Sequence, residues 1–496
     1  MLTLTRFFTF SCVGPEDFDK LLTTIFQATS QEKRIDKIEL HILKTLLRIG
    51  KQLIMLYVEL VIQRSEDILT GEPKMRYRNK GLFSRTYFSI FGQIQFKRKK
   101  IHIEEEKRIL YPADQALGMP KEEYSYNLQD WIGYSTTDTD FRSSVELINR
   151  ILGHNILEMQ AERISNKLSE EVEVFYEEEA LLPQEEGGYF AAGFDDKGVP
   201  ILPGEVNREM DSSGVRLGKG QKRGVKKSST VSVTYSFDPN IREAEDVIAS
   251  LFKEKNNEAT KNNESLEPKS QTKNKHIRAF LSDKKKAMEY GFENIQKRSA
   301  DEKKNIVILI DGDRGLEKAI DRAVESKDIK VRIIFKVLDF IHVTEYLWKA
   351  ANIYFGEKSP QRLDWVKEQC LLLLQGETNT VLKNLQKLIQ HGKYMTAKHR
   401  VIKSVIRYLS NHTTMMNYKE CLARGFPIST GAIESACGHF VQSRMERNGM
   451  RWSLKGAKNM LNLRAVNKNK DWDTYMQYYI EKKQVSDEFT QFKKAA

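Results

Sequence analysis

Acidic side chains follow two apolar segments that lie far apart in the chain, and they are the residues best suited to chemistry. Asp195 and Asp196 follow the stretch GGYFAAGF, and Asp311 follows the run NIVILI. A third acid, Glu434, lies at the edge of the apolar stripe in STGAIESACGHF. Ionised carboxylates are costly beside a core unless a cation holds them. Two strand carboxylates and a third from a helix could hold two divalent ions, which suits phosphodiester cleavage.

Each of these acids also has a structural explanation. Gly312 and Asp313 are typical of a turn after a strand, and Asp313 could cap the helix that follows. Glu434 could complement a helix dipole in a first turn. Strand alternation directs Asp195 and Asp196 to opposite faces, so only one of them can reach a shared site. The residues alone leave these alternatives open.

The elements that would position the acids can be predicted from periodicity. The run at 306–310 predicts a strand that helices cover on both faces. Three antiparallel strands, a crossover helix and further strands would form the mixed sheet of an RNase H-like fold. The predicted elements are two strands within 187–202 joined by a tight turn at Asp196-Lys197-Gly198, a strand at 229–237, helices at 276–298 and 315–325, and a strand at 331–340.

The chain as a whole predicts an α/β protein with several parts. The RNase H-like mixed sheet would carry an all-α insertion and would follow a mainly helical N-terminal region with a small β-hairpin. The expected parts are the N-terminal region at 1–135, a helix-turn-helix-like DNA-binding segment at 136–180, the first part of the catalytic core at 187–345 with a polar insertion at 253–275, the all-α insertion at 346–425, and the C-terminal helices of the core at 426–496.

Composition and charge narrow the class of protein. Of 496 residues, 80 are Lys or Arg and 68 are Asp or Glu, giving a net charge of +12, which favours a polyanionic partner such as nucleic acid. No apolar run reaches the length of a membrane span, and the opening residues lack the pattern of a signal peptide. The four cysteines are widely spaced, so we expect neither a zinc site nor a disulfide framework, and a cytoplasmic location.

Two segments carry candidate DNA contacts in the first half of the chain. A helical hairpin within 138–175 would present Arg163, Asn166 and Lys167 on the polar side of its second helix, as in a recognition helix; the alternative is two packed helices with a solvated face. A basic loop at 216–227 could clamp phosphates or could be a solvated hairpin loop. Its candidate residues are Lys222, Arg223, Lys226 and Lys227.

The C-terminal part offers a second basic region. Arg444, Arg447 and Arg451 stand at helical spacings of three and four, so they could form one stripe that grips the DNA backbone. Trp452 could stack on a frayed base near the cut. The alternative is a solvated basic face beside a packed Trp452.

Two longer motifs resemble a known family. VLDFIHVTEYLWKAA at 337–351 and GAIESACGHFVQSRMERNGMRWS at 431–453 resemble the signatures of bacterial insertion-sequence transposases of the ISKra type. These are DDE transposases related to the Mutator-like group. GFDDKGVP and ILIDGDRGLEKAI resemble that family's first and second acidic strands. The resemblance covers roughly residues 80 to 475, and the polar tract at 253–275 is its clearest departure.

The resemblance implies roles for particular residues. Asp195, Asp311 and Glu434 match the family's catalytic and metal-binding acids, which would hold Mg²⁺ or alternatively Mn²⁺. The family usually has Gly where this chain has Asp196, which leaves the first ligand open between Asp195 and Asp196. Asp339 and His342 match a D-x-x-H motif. His342 could contact the scissile phosphate or orient a ligand, or the two could be a buried pair that stabilises the fold.

The resemblance also implies a function. The protein would bind the inverted-repeat ends of its element, cut them in a metal-dependent reaction and join the exposed 3′-hydroxyl to target DNA. Two ends must be held together, so a homo-oligomer is expected, and no membrane is involved. The alternatives are a catalytically inactive or domesticated DNA-binding relative, and an RNase H-like nuclease without strand transfer.

Overall fold

The structure of the protein is a computed structural model. It covers residues 15–30, 34–71, 77–103, 108–178, 185–205, 225–252, 272–299, 305–325, 332–390, 397–429, 431 and 437–486. Three candidate residues, Lys222, Arg223 and Glu434, lie outside these ranges, and so does most of the polar insertion predicted at 253–275.

The strands within the described ranges form two sheets. A small sheet has the order β1-β2-β3, and a larger one has the order β6-β5-β4-β7-β8. The strands are β1 (Tyr77–Ser89), β2 (Gly92–Ile103), β3 (Arg108–Leu110), β4 (Tyr189–Ile201), β5 (Val225–Phe237), β6 (Lys273–Leu281), β7 (Asn305–Ile310) and β8 (Arg332–Leu338).

Helices account for most of the remaining described residues. They are α1 (Pro15–Ser30), α2 (Ile35–Gly71), α3 (Pro112–Ala116), α4 (Tyr126–Asp138), α5 (Phe141–Leu152), α6 (Glu158–Leu168), α7 (Val172–Glu178), α8 (Ala244–Leu251), α9 (Lys284–Arg298), α10 (Arg314–Val324), α11 (Phe340–Phe355), α12 (Gln361–Leu374), α13 (Thr378–Gln390), α14 (Ala397–Asn411), α15 (Tyr418–Ala423), α16 (Leu454–Lys468) and α17 (Trp472–Ser486). None of the described helices is long and apolar enough to cross a membrane.

The chain divides into two compact units. One contains residues 1–175 and 471–496, and the other contains residues 176–470. In the first unit, α2 packs on the hairpin formed by β1 and β2, and α5 and α6 pack on α4. The protein is therefore a mixed α/β structure in which the larger sheet lies wholly in the second unit.

The larger sheet combines antiparallel and parallel pairs. β5 pairs antiparallel with both β4 and β6, whereas β7 pairs parallel with β4 and β8. The apolar run at 306–310 forms the strand β7, which is fully buried at these positions. A strand between two parallel neighbours with helices on its faces must be apolar on both sides, which explains this composition.

Two predicted elements of this sheet are wrong. Residues 189–201 form one continuous strand without a turn at Gly198, because the whole segment pairs with β5 from Tyr189 opposite Phe237 to Ile201 opposite Val225. Residues 273–281, placed partly in the polar insertion and partly in a helix, form β6 instead. Burial of Ile277 and Ala279 against the sheet outweighs the local helical pattern.

The face of the sheet under α9 requires close packing at one glycine. Gly291 of α9 approaches β4 and β5, and a Cβ there would lie 2.6 Å from the Ser232 hydroxyl and 3.0 Å from the Phe194 ring. Phe194 also contacts Phe292 with ring centroids 5.8 Å apart. Position 291 therefore lets the helix lie directly on β4 and β5, close to Asp196.

Candidate functional site

The parallel pairing of β4 with β7 brings two acids to neighbouring positions. The paired residues end with Gly193 opposite Leu309, and Asp195 and Asp311 each follow two residues later. Adjacent strands lie about 4.8 Å apart, so the two residues are neighbours just beyond the point where the pairing of β4 with β7 ends, a place that we call the acidic edge. On the other side of β7, Ile310 pairs with Leu338, which places Asp339 at the same level.

Asp311 occupies a turn whose geometry depends on several contacts. Its carboxylate accepts a hydrogen bond from the Asp313 amide at 2.9 Å, and its carbonyl oxygen accepts one from the Tyr408 hydroxyl at 2.6 Å. Gly312 has φ of +88°, a conformation that favours glycine. Asp313 accepts a hydrogen bond from the Leu316 amide and caps α10. The turn thus holds Asp311 at the end of β7.

The pKa of Asp311 is raised above its ordinary value. Burial is the main cause, and the negative charges of Asp195 and Asp313 raise the pKa further. The Asp313 amide and the nearby His342 act in the opposite direction. Asp195 and Asp311 are therefore close enough to repel each other, and a cation between them would relieve that repulsion.

Asp195 already has a cationic neighbour and a thiol neighbour. The Lys197 Nζ lies 2.7 Å from Asp195 Oδ2. Burial raises the pKa of the Cys437 thiol, and the Asp195 carboxylate raises it further through its charge and its hydrogen bond with the thiol. Cys437 is fully buried and lies three positions after Glu434 in the sequence. The Asp195 side chain thus faces the segment that follows Glu434.

Asp196 points to the other face of β4. Its Oδ1 accepts a hydrogen bond from the Thr230 hydroxyl at 2.5 Å, and its Oδ2 lies 2.5 Å from the Lys284 ammonium at the start of α9. Lys284 also lies 3.9 Å from Asp313 Oδ1. Asp196 is therefore part of the packing between α9 and the sheet, whereas Asp195 lies on the face that Cys437 contacts.

Asp339 and His342 lie at the start of α11 and have separate partners. Asp339 is fully buried and accepts a hydrogen bond from the Ile341 amide, which caps the helix. The His342 Nδ1 lies 3.4 Å from Glu345 Oε2, and the His342 ring packs against Tyr346 and Tyr408. The His342 side chain is only 30% exposed, and it lies near enough to Asp311 for a positive charge on its ring to lower the pKa of that carboxyl. Both residues of the motif therefore lie near Asp311, Asp339 directly after β8 and His342 three positions further along α11.

The carboxyl groups of Asp195 and Asp311 fit a hard divalent cation in donor type and in charge. Mg²⁺ prefers carboxylate oxygens and keeps water ligands that phosphates can replace. Among the described residues, however, no group of three or more His, Cys, Asp or Glu is arranged to hold a metal ion. Glu434, the expected third ligand, lies outside the described residues.

Two backbone hydrogen bonds join Trp452, in the C-terminal part of the second unit, to the end of β4. The Trp452 amide donates to the Pro200 carbonyl at 3.0 Å, and the Leu202 amide donates to the Trp452 carbonyl at 2.9 Å. Nearby, the Lys226 ammonium lies 3.0 Å from Glu446 Oε1. Lys226 is exposed and Lys227 is half-buried. Lys226 thus lies beside the segment at 446–452. Both lysines, predicted in a loop, belong to β5 instead, where they pair with Pro200 and Val199.

The prediction of one helical stripe formed by three arginines is wrong. The helical turn that carries Arg444 ends at Met445, so helical spacing does not continue to Arg447 and Arg451. Arg444 is 1% exposed, and its guanidinium lies over the Trp452 ring at 4.8 Å. Trp452 is also buried, and its indole N–H donates to the Met445 carbonyl. Only Arg447 and Arg451 of the three are exposed.

The predicted recognition helix corresponds to α6. Arg163 is exposed, and Asn166 and Lys167 are half-buried. Lys167 lies 3.6 Å from Glu170 at the end of the helix. Ile164 and Leu168 are buried on the opposite side. The polar side that the sequence predicted is therefore present on α6, and its contact with DNA remains a prediction.

Three residues at the acidic edge were not identified from the sequence. Tyr408 reaches Asp311 from 97 positions away, and no local pattern indicates such a contact. Lys197 and Lys284 each approach one acid of the pair Asp195-Asp196. Lys197 could have been considered, because a lysine two positions along a strand lies on the same face as the acid.

Comparisons with known proteins give limited matches. A sequence profile described as "Uncharacterised protein family (UPF0236)" matches residues 245–481. No curated protein matches the chain. Among solved structures, the chain is similar to one described as "Drosophila P element transposase strand transfer complex", with 7% identity over 71% of this chain and 94% of that chain. The TM-score is 0.34.

Proposed function

We propose that the protein is a DNA transposase of an insertion sequence, of the ISKra type, with an RNase H-like catalytic core. The observation that carries the proposal is that Asp195 and Asp311 are neighbours at the acidic edge, where each follows the parallel pairing of β4 with β7 by two residues. The strand order, with an antiparallel pair on one side of β4 and parallel strands on the other, is the one expected for that core.

In this proposal, Asp195 and Asp311 hold divalent metal, with Glu434 as the third ligand. Bound Mg²⁺ or Mn²⁺ would stabilise the attacking and leaving oxygens of an in-line phosphodiester displacement. The Lys197 ammonium, 2.7 Å from Asp195 Oδ2, would contact a DNA phosphate bound beside this carboxylate. Asp196 remains with Thr230 and Lys284, so Asp195 is the first ligand.

The proposed reaction has two steps, and its joining step breaks one phosphodiester bond for each one that it forms. In the first step, a water oxygen attacks the phosphorus at the element end, and the P–O3′ bond breaks to leave a 3′-hydroxyl. In the second step, that hydroxyl attacks a phosphorus of target DNA and displaces another 3′-oxygen. In this proposal His342, which lies at the start of α11 near Asp311, contacts the scissile phosphate.

DNA would be bound by basic and polar side chains on both units. Arg163, Asn166 and Lys167 on α6 would contact the element ends. On the second unit, the phosphate contacts would come from Lys226, Lys227, Arg447 and Arg451. Lys222 and Arg223, which lie outside the described residues, are proposed for the same role. Arg444 and Trp452 are excluded from this set because both side chains are buried. The enzyme would act as a homo-oligomer in the cytoplasm.

Excision of a marked element with its native flanks tests this function. We expect the wild type to excise the element and Asp311→Asn to abolish excision while DNA binding is kept. Asp313→Asn is the matched control, since an Asn there can still cap α10 and lies two positions from Asp311. Equal excision by wild type and Asp311→Asn would refute the assignment of Asp311.

The products distinguish the proposal from its alternatives. Joined products require strand transfer. DNA ends that are cut but never joined would make the protein a nuclease without strand transfer. DNA binding without cutting, in the wild type as well as in Asp311→Asn, would make it an inactive relative.

A further inference from the structure

The long helix α2 has apolar side chains on two faces, and the β1–β2 hairpin of its own unit covers one of them. Val58 lies in a cluster with Tyr87 and Ile94 of that hairpin. On another face, five large side chains are between 39% and 59% exposed: Leu43, Leu46, Leu53, Tyr57 and Leu60. Large apolar side chains of a helix are normally buried, whereas His41, Lys44 and Arg48 form a polar side of α2 that can face water. The exposed stripe therefore indicates a missing partner.

The spacing of the stripe is that of a two-helix seam. Leu43, Leu46, Leu53, Tyr57 and Leu60 occupy the alternating three- and four-residue positions of a heptad pattern, and Gly50 occupies the remaining position between them. A Cβ at Gly50 would lie 2.4 Å from the Phe91 ring, so that ring supplies apolar surface where Gly50 has none. The seam is thus apolar throughout its length.

The stripe is also complementary to itself in an antiparallel arrangement. A two-fold axis midway between Lys51 and Gln52 places Leu43 opposite Leu60, and Leu46 opposite Tyr57. The same axis places Leu53 opposite Gly50 and its covering Phe91 ring. Such a surface, which matches its own copy under a two-fold rotation, is the form of an isologous dimer interface.

Charges at the two ends of the stripe support the same arrangement. Glu39 and Arg64 are both exposed, and the two-fold axis places Glu39 of one copy opposite Arg64 of the other. A parallel pair would instead place Glu39 opposite Glu39 and Arg64 opposite Arg64, which is unfavourable. The charge pattern therefore favours a second copy of this chain, bound in the antiparallel direction.

We propose that the exposed stripe of α2 is a dimer interface, occupied by α2 of a second copy in antiparallel orientation. Contacts with the hairpin already order the helix before association, so dimerisation does not have to create it. The proposal is independent of the chemistry at the acidic edge, because it rests on the first unit alone. It specifies both the partner and the pairing of residues.

Molar mass in solution tests whether the interface exists. The full chain is expected to be dimeric by light scattering, and the double variant Leu46→Glu/Leu53→Glu is expected to weaken the dimer by about a hundredfold or more, giving monomers. Leu147→Glu on α5 is the matched control, since Leu147 is 56% exposed in the same unit but lies outside the stripe. Unchanged thermal unfolding would show that the double variant is folded.

Cysteine cross-linking tests the orientation. Leu43→Cys and Leu60→Cys proteins are mixed and oxidised, with the wild type as the control for its native cysteines. The antiparallel seam predicts a mixed disulfide between the two variants, whereas a parallel seam would link each variant to itself. A monomeric wild type, a dimer unaffected by Leu46→Glu/Leu53→Glu, or self-linking alone would overturn the proposal. A monomer would mean that another segment or another protein covers the stripe.

Discussion

The Tyr408 hydroxyl donates a hydrogen bond to the backbone carbonyl of Asp311 at 2.6 Å. Tyr408 belongs to α14, and its ring stacks on Tyr346 of α11 with centroids 3.9 Å apart and planes 6° apart. The hydroxyl also occupies the space that a side chain at Gly312 would need, since a Cβ there would lie 2.7 Å from it. The helices that follow β8 thus fix the turn that presents Asp311.

Removing the Tyr408 hydroxyl should reduce excision without unfolding the protein. In Tyr408→Phe the Asp311 carbonyl loses its hydrogen-bond donor, which should make the catalytic position of Asp311 less favourable by about 1 to 2 kcal/mol. This difference corresponds to an excision rate lower by roughly tenfold. Tyr346→Phe is the control, because it preserves the stacked rings and does not touch the hydrogen bond to Asp311. Excision and thermal unfolding are measured together. If both variants lower excision equally, the hydrogen bond from Tyr408 to Asp311 is not what positions the turn.

Loss of charge at Asp195 and at Asp196, the two neighbouring acids of β4, should have different effects on excision. Asp195→Asn removes the proposed metal ligand and should abolish excision. Asp196→Asn keeps an oxygen that can accept the Thr230 hydrogen bond, so excision should stay within about tenfold of wild type. Comparing excision by the two variants checks this. Greater loss with Asp196→Asn would exchange the roles of the two residues.

Glu186 should make folding stability depend on pH. Burial alone would raise the pKa of Glu186, but hydrogen bonds from Arg298 and Ser236 outweigh burial and hold the pKa below its ordinary value. Because the folded pKa is lowered, this stabilisation is present above the unfolded pKa of about 4.3 and is lost as pH falls through the folded value. Glu186→Gln should cost about 3 kcal/mol near neutral pH, and the difference from wild type should shrink in acid.

The control for Glu186 is its exposed neighbour. The Glu185 side chain is 92% exposed and lies 3.3 Å from the Lys273 ammonium. Glu185→Gln should change the free energy of unfolding by less than about 1 kcal/mol. Denaturant unfolding of both variants at several pH values measures these differences. A Glu186→Gln deficit that does not shrink in acid would contradict the electrostatic explanation.

Substitution of Arg444 should affect the stability of the fold, whereas substitution of Arg451 should affect DNA binding. Arg444→Ala removes a buried guanidinium that covers the Trp452 ring, so it should destabilise the fold by about 2 kcal/mol or more. Arg451 is exposed, so Arg451→Ala should leave stability within about 0.5 kcal/mol and should lower the salt dependence of DNA binding by about one phosphate contact. Binding isotherms at several salt concentrations test this. An Arg451→Ala protein with unchanged affinity and salt dependence would exclude a phosphate contact.

The sequence predicted the acidic edge better than the elements around it. Apolar runs ahead of Asp195 and Asp311 were enough to predict the two strands, because a strand buried on both faces has a distinctive composition. The continuous strand β4 was missed because Lys197 and Gly198 favour a turn locally, whereas pairing with β5 extends through both residues. Pairing with β5 therefore determines the structure of this segment, because the local preference of Lys197 and Gly198 for a turn is weak.

Contacts over long separations could not be predicted from one sequence. Nothing in the sequence around Tyr408 indicates that its hydroxyl meets Asp311, and nothing around Arg444 indicates that its side chain is buried against Trp452. The arginine stripe was wrong because helical spacing was assumed to continue beyond Met445. The roles of Lys222, Arg223 and Glu434 stay predictions, because these residues lie outside the described ranges.

Binding of Mn²⁺ to the purified protein tests the central claim most directly. Mn²⁺ is a spectroscopically visible substitute for Mg²⁺, and its binding can be followed by electron paramagnetic resonance without any DNA substrate. We expect the wild type and Asp313→Asn to bind Mn²⁺ alike, and Asp195→Asn and Asp311→Asn to bind it at least about tenfold more weakly. Equal Mn²⁺ binding by all four proteins would contradict a metal site at Asp195 and Asp311.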